Sequence, residues 1–218
     1  MSSAVPTDDA LLPARLRRPA GLAVAVAVLV FGVLAVHYAG TTTGGRVDAR
    51  IDAVVGPIAS PHRWMLQLVP ELGSPPVVGV LALGTAVACL WLGRRRLAVL
   101  ALLGPGLTGV ATTLLKPAID RTLNGDLAYP SGHTGGATAM GIVAALVVIS
   151  LLRVGRALGL VLVACGAVFV GGSVSVAMIA SGAHYPTDTI GGFSTAVAVV
   201  LSLAAAIDGV ADRRALRD

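Results

Sequence analysis

Pro130-Ser131-Gly132-His133 leads directly into Thr134-Gly135-Gly136-Ala137-Thr138-Ala139-Met140-Gly141-Ile142-Val143-Ala144-Ala145-Leu146-Val147-Val148-Ile149-Ser150-Leu151-Leu152, a run without a single charge. Crossing ~30 Å of hydrocarbon as helix takes about 20 such residues. The run therefore reads as a membrane span with a polar tetrapeptide at its mouth. Similar runs bring the total to six spans, near 20–40, 76–93, 97–115, 134–152, 157–180 and 189–207. Composition agrees: hydrophobic residues make up 56% and charged residues 12%, with a mean hydropathy of +0.86. A soluble domain carries about 25% charged residues to cover its surface. The expected fold is all-α, a polytopic membrane protein with six transmembrane helices.

The arginines orient it. Arg15, Arg17 and Arg18 precede the first span, and Arg94, Arg95 and Arg96 separate the second from the third. Arg153 and Arg156 separate the fourth from the fifth, and Arg213, Arg214 and Arg217 follow the sixth. If the spans alternate, all four clusters share one face, which the positive-inside rule makes cytoplasmic. Both termini are then cytoplasmic: a polar tail at 1–19, a membrane domain at 20–208, and a second tail at 209–218. The first apolar run exceeds the ~7–15 residues of a signal-peptide core and reads as a retained span. The net charge of +5 is spread over these small clusters, not gathered on one basic face, so no nucleic-acid partner is expected. Cys89 and Cys165 lie inside apolar runs as small hydrophobic residues.

Three segments then face outward: 41–75, 116–133 and 181–188. The first is long, and residues 49–70 interleave Ile51, Val54, Val55, Ile58, Trp64, Met65 and Leu68 with polar positions. It reads either as an interfacial helix broken at Pro57 and Pro61, with Trp64 at headgroup depth, or as a simple connection. In the third span, Gly104-Pro105-Gly106 predicts a kink or a loosened turn.

The other two outward segments hold the chemistry-bearing residues. Ser131 is a plausible helix cap, and the free N–H groups beyond it suit a phosphate. Gly132 lets an oxyanion approach the backbone, and His133 can donate a proton to a leaving oxygen. An ordinary capped helix start would look the same. His184-Tyr185-Pro186-Thr187-Asp188 opens the last span. Asp188 there can fix one imidazole nitrogen of His184 and leave the other as a nucleophile, or it can be a plain cap. Lys116, the chain's single lysine, ends the third span, and Arg121 follows five residues on. Either can neutralise a phosphate; Lys116 can also simply snorkel, and Arg121 can pair with Asp120.

Taken in order, spacing and side, these residues resemble the type 2 phosphatidic acid phosphatase superfamily, integral-membrane lipid phosphate phosphatases, over roughly residues 76–208. Lys116, then Pro130-Ser131-Gly132-His133, then His184 with Asp188 match its three motifs. The resemblance implies that His184 attacks phosphorus, Asp188 orients it, and His133 protonates the leaving oxygen. Lys116, Arg121, Ser131 and Gly132 would hold the phosphoryl oxygens. It implies no cofactor and no metal, and no His/Cys/carboxylate cluster has metal-ligand spacing. It also implies a lipid phosphate substrate, a bilayer as partner, and a site on the extracytoplasmic side of the plasma membrane. A homo-oligomer is left open. The Ala/Val/Arg-rich, lysine-poor composition fits a GC-rich bacterial source and a role in cell-envelope lipid metabolism, such as recycling a polyprenyl phosphate.

Two positions depart from the pattern. The family's first motif has an arginine seven residues after the lysine and then a proline, where this chain has Leu123 and Asn124. Its third motif begins with serine and arginine, where this chain has Ala177 and Met178. Each lost charge-assisted hydrogen bond is worth ~1.5–3 kcal/mol. The depleted cradle raises two alternatives: a non-catalytic phospholipid binder of the same fold, and a lipid phosphotransferase.

Overall fold

The computed structural model describes residues 10–59 and 63–215. Most of the expected N-terminal tail, Pro61 and Arg217 lie outside them, as do the side chains of Ile58, Ala59, Arg63, Trp64 and Met65. The chain is a bundle of α1 (Ala14–Tyr38), α4 (Pro75–Trp91), α5 (Arg95–Ile119), α6 (Gly132–Leu152), a fifth rod, and α9 (Pro186–Ala215). The fifth rod is α7 (Arg156–Gly166) joined through a π-helical turn, Ala167–Gly171, to α8 (Gly172–Ala180). The segment between α1 and α4 folds as α2 (Arg46–Ala59), α3 (Arg63–Leu68) and a 3₁₀ turn at Pro70–Gly73. Two short strands, β1 (Thr122–Leu123) and β2 (Asp126–Leu127), join α5 to α6.

Among the described residues, five rods are long and apolar enough to span a membrane by themselves. The remaining expected span, the second, is α4, only 17 residues long and bent by 55° from the Leu66–Gly73 helix before it. Ser74 and the Pro75-Pro76 start explain the bend, since proline fits a first turn but cannot continue the turn before it. The predicted loosening at Gly104-Pro105-Gly106 does not interrupt α5, which runs unbroken through it. The irregular helix is the fifth rod instead, at the π turn.

α6 is the hub. Its apolar window is 67% buried, against 11% for α1. That burial depends on its small residues. A Cβ on Gly141 would strike the carbonyl of Gly166, and one on Gly171 would strike the Thr138 hydroxyl. Close backbone approach through small residues is how helices associate in lipid, where no hydrophobic force draws them together. The π turn lies between Gly166 and Gly172, where the fifth rod presses on α6. The core behind it includes Leu100, Ile142, Val143, Leu146 and Val200.

The two ends of the bundle differ in kind. At one end the arginine clusters meet carboxylates of α9. Arg17 pairs with Asp212 at 3.0 Å and Arg96 with Asp208 at 3.2 Å. Arg15 donates to the Val154 carbonyl at 2.6 Å. Asp208 also accepts the backbone N–H groups of Leu11 and Leu12 at 2.9 and 2.8 Å. Residues 10–19, expected as part of a polar tail, are therefore pinned and partly buried, and α1 begins inside them. At the other end the chain termini of α1, α5 and α8 and the starts of α6 and α9 come together around both histidine motifs. Thus all four described arginine clusters sit opposite the two histidine motifs.

Gly141→Ala should lower the unfolding midpoint in detergent, with an overpacking cost of about 1–3 kcal/mol. Gly106→Ala, which meets nothing within 4 Å, should leave the midpoint unchanged or raise it slightly. A scanning thermal unfolding assay distinguishes the two.

Candidate active site

Two helix starts lie side by side. Gly191 and Gly192, in the second turn of α9, are the close-contact points: a Cβ there would enter the Tyr129 ring and the Ser131 carbonyl. Because both lack one, the Ser131 N–H donates to the Asp188 carbonyl at 3.0 Å. Ser131 caps α6 and is fully buried; its Oγ accepts from the Thr134 N–H at a long 3.4 Å. It therefore builds the helix start rather than opening onto a cavity. Gly132 and His133 follow in the first turn, both half-buried. The His133 backbone rests on Gly73, where no side chain would fit. Its imidazole lies within electrostatic range of His184, Glu71 and Lys116.

His184 sits in the turn between α8 and α9. Its N–H and that of Ala183 both donate to the Met178 carbonyl, at 3.3 and 3.0 Å. The side chain is 9% exposed, with Nδ1 3.5 Å from Asp188 Oδ2. That distance is too long for a good N–H···O bond, and Asp188 Oδ2 is already held by the Tyr185 N–H at 3.0 Å. The pair is in place as an electrostatic contact, with Nε2 the nitrogen turned from the carboxylate.

Lys116 donates to the Leu127 carbonyl at 2.6 Å, which ties α5 to the β1–β2 hairpin. It feels the charges of Asp188 and Asp126. Lys116 and His184 line one cavity of about 260 Å³, with Leu123, Asn124, Asp126 and Gly182 among its walls. A second cavity of about 290 Å³ shares Leu123, Gly182 and His184 and adds Asp52 and Tyr185. The hairpin turns through Asn124 and Gly125, with φ of 53° and 90°. That is the two-residue turn asparagine–glycine favours. Leu123, where the resembled family has an arginine, thus faces the site as an apolar wall.

Arg121 departs from expectation. It was expected to hold the phosphate, but it is fully buried and engaged elsewhere. One Nη donates to Asp188 Oδ1 at 2.6 Å and to Thr187 Oγ1 at 2.6 Å. The other donates to Asp48 Oδ2 at 2.8 Å. The guanidinium is stacked between Tyr38 and Tyr185, 4.0 and 4.3 Å from the ring centroids. With both faces covered and both Nη groups occupied by carboxylates, it serves Asp188, not a phosphate.

Asp48 is the residue that sequence reading missed. It lies in the first turn of α2, 1% exposed. Its Oδ1 accepts from the Thr187 N–H at 2.9 Å and the Thr187 hydroxyl at 2.7 Å; its Oδ2 accepts from the Gly45 N–H at 2.8 Å. So Asp48 caps two helix starts, α2 and α9, and grips Arg121 between them. Burial works to raise its carboxyl, but the hydrogen bonds from Gly45, Thr187 and Arg121 outweigh burial and hold it below 3.8. Tyr129 completes the frame, donating to the Phe31 carbonyl at 2.9 Å. Burial and then the Asp188 charge push its phenol up, so it stays a neutral donor.

Met178, the other position of a family arginine, is also placed differently. Its side chain is buried with Ala137 and Val174, while its carbonyl holds the His184 turn. An arginine here would have to displace that packing. Within the long 41–75 segment, α2 packs on α8 and α9, and Pro57 lies inside α2 without breaking it.

Arg121→Ala should destabilise the fold by about 3–5 kcal/mol, because it strands two buried carboxylates. The check is the unfolding midpoint in detergent. Acid should act on the same cluster. Because the folded Asp48 is more acidic than an unfolded aspartate, the stability it supplies is whole above pH 3.8 and is lost as pH falls through its lower folded value. Asp48→Asn should therefore flatten the acid limb of the stability profile. Met178→Arg should lower the unfolding midpoint rather than raise any activity.

No protein-family model matches the chain, and no curated protein sequence does. A solved structure is similar in fold: the first transmembrane PAP2-type phosphatidylglycerolphosphate phosphatase from Bacillus subtilis, with a TM-score of 0.61 at 20% identity. The match covers 85% of this chain and 96% of that one. This chain has the fold of a transmembrane PAP2-type phosphatase.

Proposed function

We propose that this chain is a lipid phosphate phosphatase of the type 2 phosphatidic acid phosphatase superfamily. One observation carries the reading: Lys116 and His184 share a cavity, with Asp188 behind His184 and His133 within electrostatic reach. The fold of the Bacillus subtilis phosphatase and the order of the three motifs support it.

Lys116 draws the phosphoryl oxygens into the cavity it shares with His184. His184 Nε2 attacks phosphorus in line with the ester or anhydride oxygen opposite. The N–P bond forms as the P–O bond breaks, and His133 gives its proton to the departing oxygen. Asp188 stabilises the positive charge that develops on the His184 ring, its 3.5 Å contact tightening as that charge appears. His133, now neutral, takes a proton from water. The hydroxide formed attacks the phosphohistidine, releasing inorganic phosphate and restoring His184. The roles of Asp188 and His184 follow those the motifs imply; Arg121 holds Asp188 instead of the phosphate.

The substrate class is a lipid with a terminal phosphate or diphosphate: a polyprenyl phosphate derivative, phosphatidic acid or phosphatidylglycerol phosphate. The site opens on the extracytoplasmic side of the plasma membrane, because four arginine clusters gather at the opposite end of the bundle. One feature favours the second reading, a binder that does not turn over. With Arg121 buried and Leu123 and Met178 apolar, Lys116 is left as the cation lining the described cavities.

Phosphate release from a panel of these lipids in detergent decides between them. Wild type should release phosphate, His184→Ala should reduce release by at least 10³-fold, and His133→Gln by about 10²–10⁴-fold. Release that persists in His184→Ala would sink the phosphohistidine route. Lipid retention by the wild type without release would favour the binder.

A further inference from the structure

We infer that Asp48, on the helix outside the membrane bundle, is a positioning residue that sets the charge presented to His184 through Arg121 and Asp188. The inference rests on the reading of His184 as the reacting group, and its test does not require turnover.

The geometry is a relay of three buried side chains. Asp188 Oδ2 faces His184 Nδ1 at 3.5 Å, and its Oδ1 takes one Nη of Arg121 at 2.6 Å. The other Nη of Arg121 goes to Asp48 at 2.8 Å. Were Arg121 committed to Asp188 alone, the two charges would cancel. The carboxylate would then have little left to stabilise a positive imidazole. Asp48 changes that balance: two carboxylates and one guanidinium leave a net negative charge, and its open side is toward His184. The tyrosine rings on both faces of the guanidinium exclude water, so the charges act at low screening.

Asp48 is built for this and not merely tolerated. Three further hydrogen bonds, from Gly45 and from the Thr187 N–H and hydroxyl, keep it ionised and immobile while it is buried. Thr187 also accepts from Arg121, so one residue of α9 registers Asp48 and Arg121 against Asp188. The remaining charged and titratable neighbours act on the same field. Lys116 faces Asp188 from α5, and Asp126 faces Lys116 from the hairpin. His133 faces His184 from α6, with Glu71 beyond it. Tyr129 and Tyr185 flank Asp188, and Asp52 lies next to Asp48 on α2. None of these removes the need for a counter-charge to Arg121, since none reaches its Nη groups.

The test follows the charge count. The probe is the rate of carbethoxylation of His184 by diethyl pyrocarbonate as a function of pH, read by peptide mass spectrometry on the purified full chain in detergent. This reagent reports neutral imidazole and needs no substrate. Asp48→Asn should move the midpoint of His184 reactivity down by about one pH unit, because the net negative charge is gone. Arg121→Gln should move it up. Asp48→Asn combined with Arg121→Gln restores one net negative charge and should bring the midpoint back toward wild type. A purely structural role predicts that the double variant is worse than either single one and that no midpoint moves with charge. That pattern would overturn the inference. If Asp48→Asn does not fold, the Arg121→Gln midpoint and the charge-balanced double variant decide it by the same signs. Absence of phosphate release in the wild type would count against the phosphatase reading alone, and the midpoints would still stand or fall by themselves.

Discussion

A guanidinium stripped of water has to be neutralised, and at the histidine end of this bundle that requirement organises the chain. Arg121 leaves the end of α5 and enters a dry slot between Tyr38 of α1 and Tyr185 of the α8–α9 turn. It can stay there only because Asp48 arrives from α2 and Asp188 from α9. Four separate segments are thus fixed to one another by one planar group. Arginine suits this role where lysine would not: its fork serves two carboxylates at once, and its faces stack on rings. The same pairing explains why α2 packs on α8 and α9.

The opposite constraint operates in the middle of the membrane. There no charge is available to draw helices together, and the chain uses absence of side chain instead. Gly141 against Gly166 and Gly171 against Thr138 bring the fifth rod onto α6, while Gly191 and Gly192 bring the start of α9 onto the start of α6. These contacts carry chemistry indirectly. Moving the α9 start outward by one methyl group would separate Asp188 from the Ser131 N–H that now reaches its carbonyl. The site's geometry is therefore set by packing, and the Arg121 cluster then locks it.

This division accounts for what was legible in the sequence. Hydrophobic run length is a local property, so six spans could be read, although the 17-residue α4 is short and owes its bend to Ser74 and two prolines. The arginine clusters were legible as a set because topology sums over loops, and they do gather at one end. The asparagine–glycine pair after Leu123 is a local hairpin signal. Asp48 had none. It stands 73 residues from Arg121 in sequence, at a polar position of an amphipathic stretch where an aspartate ordinarily faces water. Arg121 was legible as a cation near the site but not as to direction. Chain order cannot say whether a guanidinium points into a cavity or at the carboxylate behind His184.

That difference of direction changes what the missing arginines mean. Judged by motif alone, Leu123 and Met178 subtract cations from a phosphate cradle that Arg121 partly restores. In three dimensions Arg121 contributes nothing to the cradle, and Met178 holds the His184 turn by its carbonyl while its side chain fills the core. Among the residues lining the two cavities beside His184, Lys116 is then the cation that remains. On the proposed phosphohistidine route, charge has instead been invested behind His184. A strongly cationic cradle lowers the cost of binding phosphate in ground state and transition state alike, whereas a net negative charge behind His184 acts only as the ring becomes positive. Stabilisation of the second kind is felt in the chemical step and not in capture of the lipid. A chain arranged this way should bind its lipid phosphate loosely and depend on the bilayer, which holds an amphiphilic substrate at high local concentration, to supply what the cradle lacks.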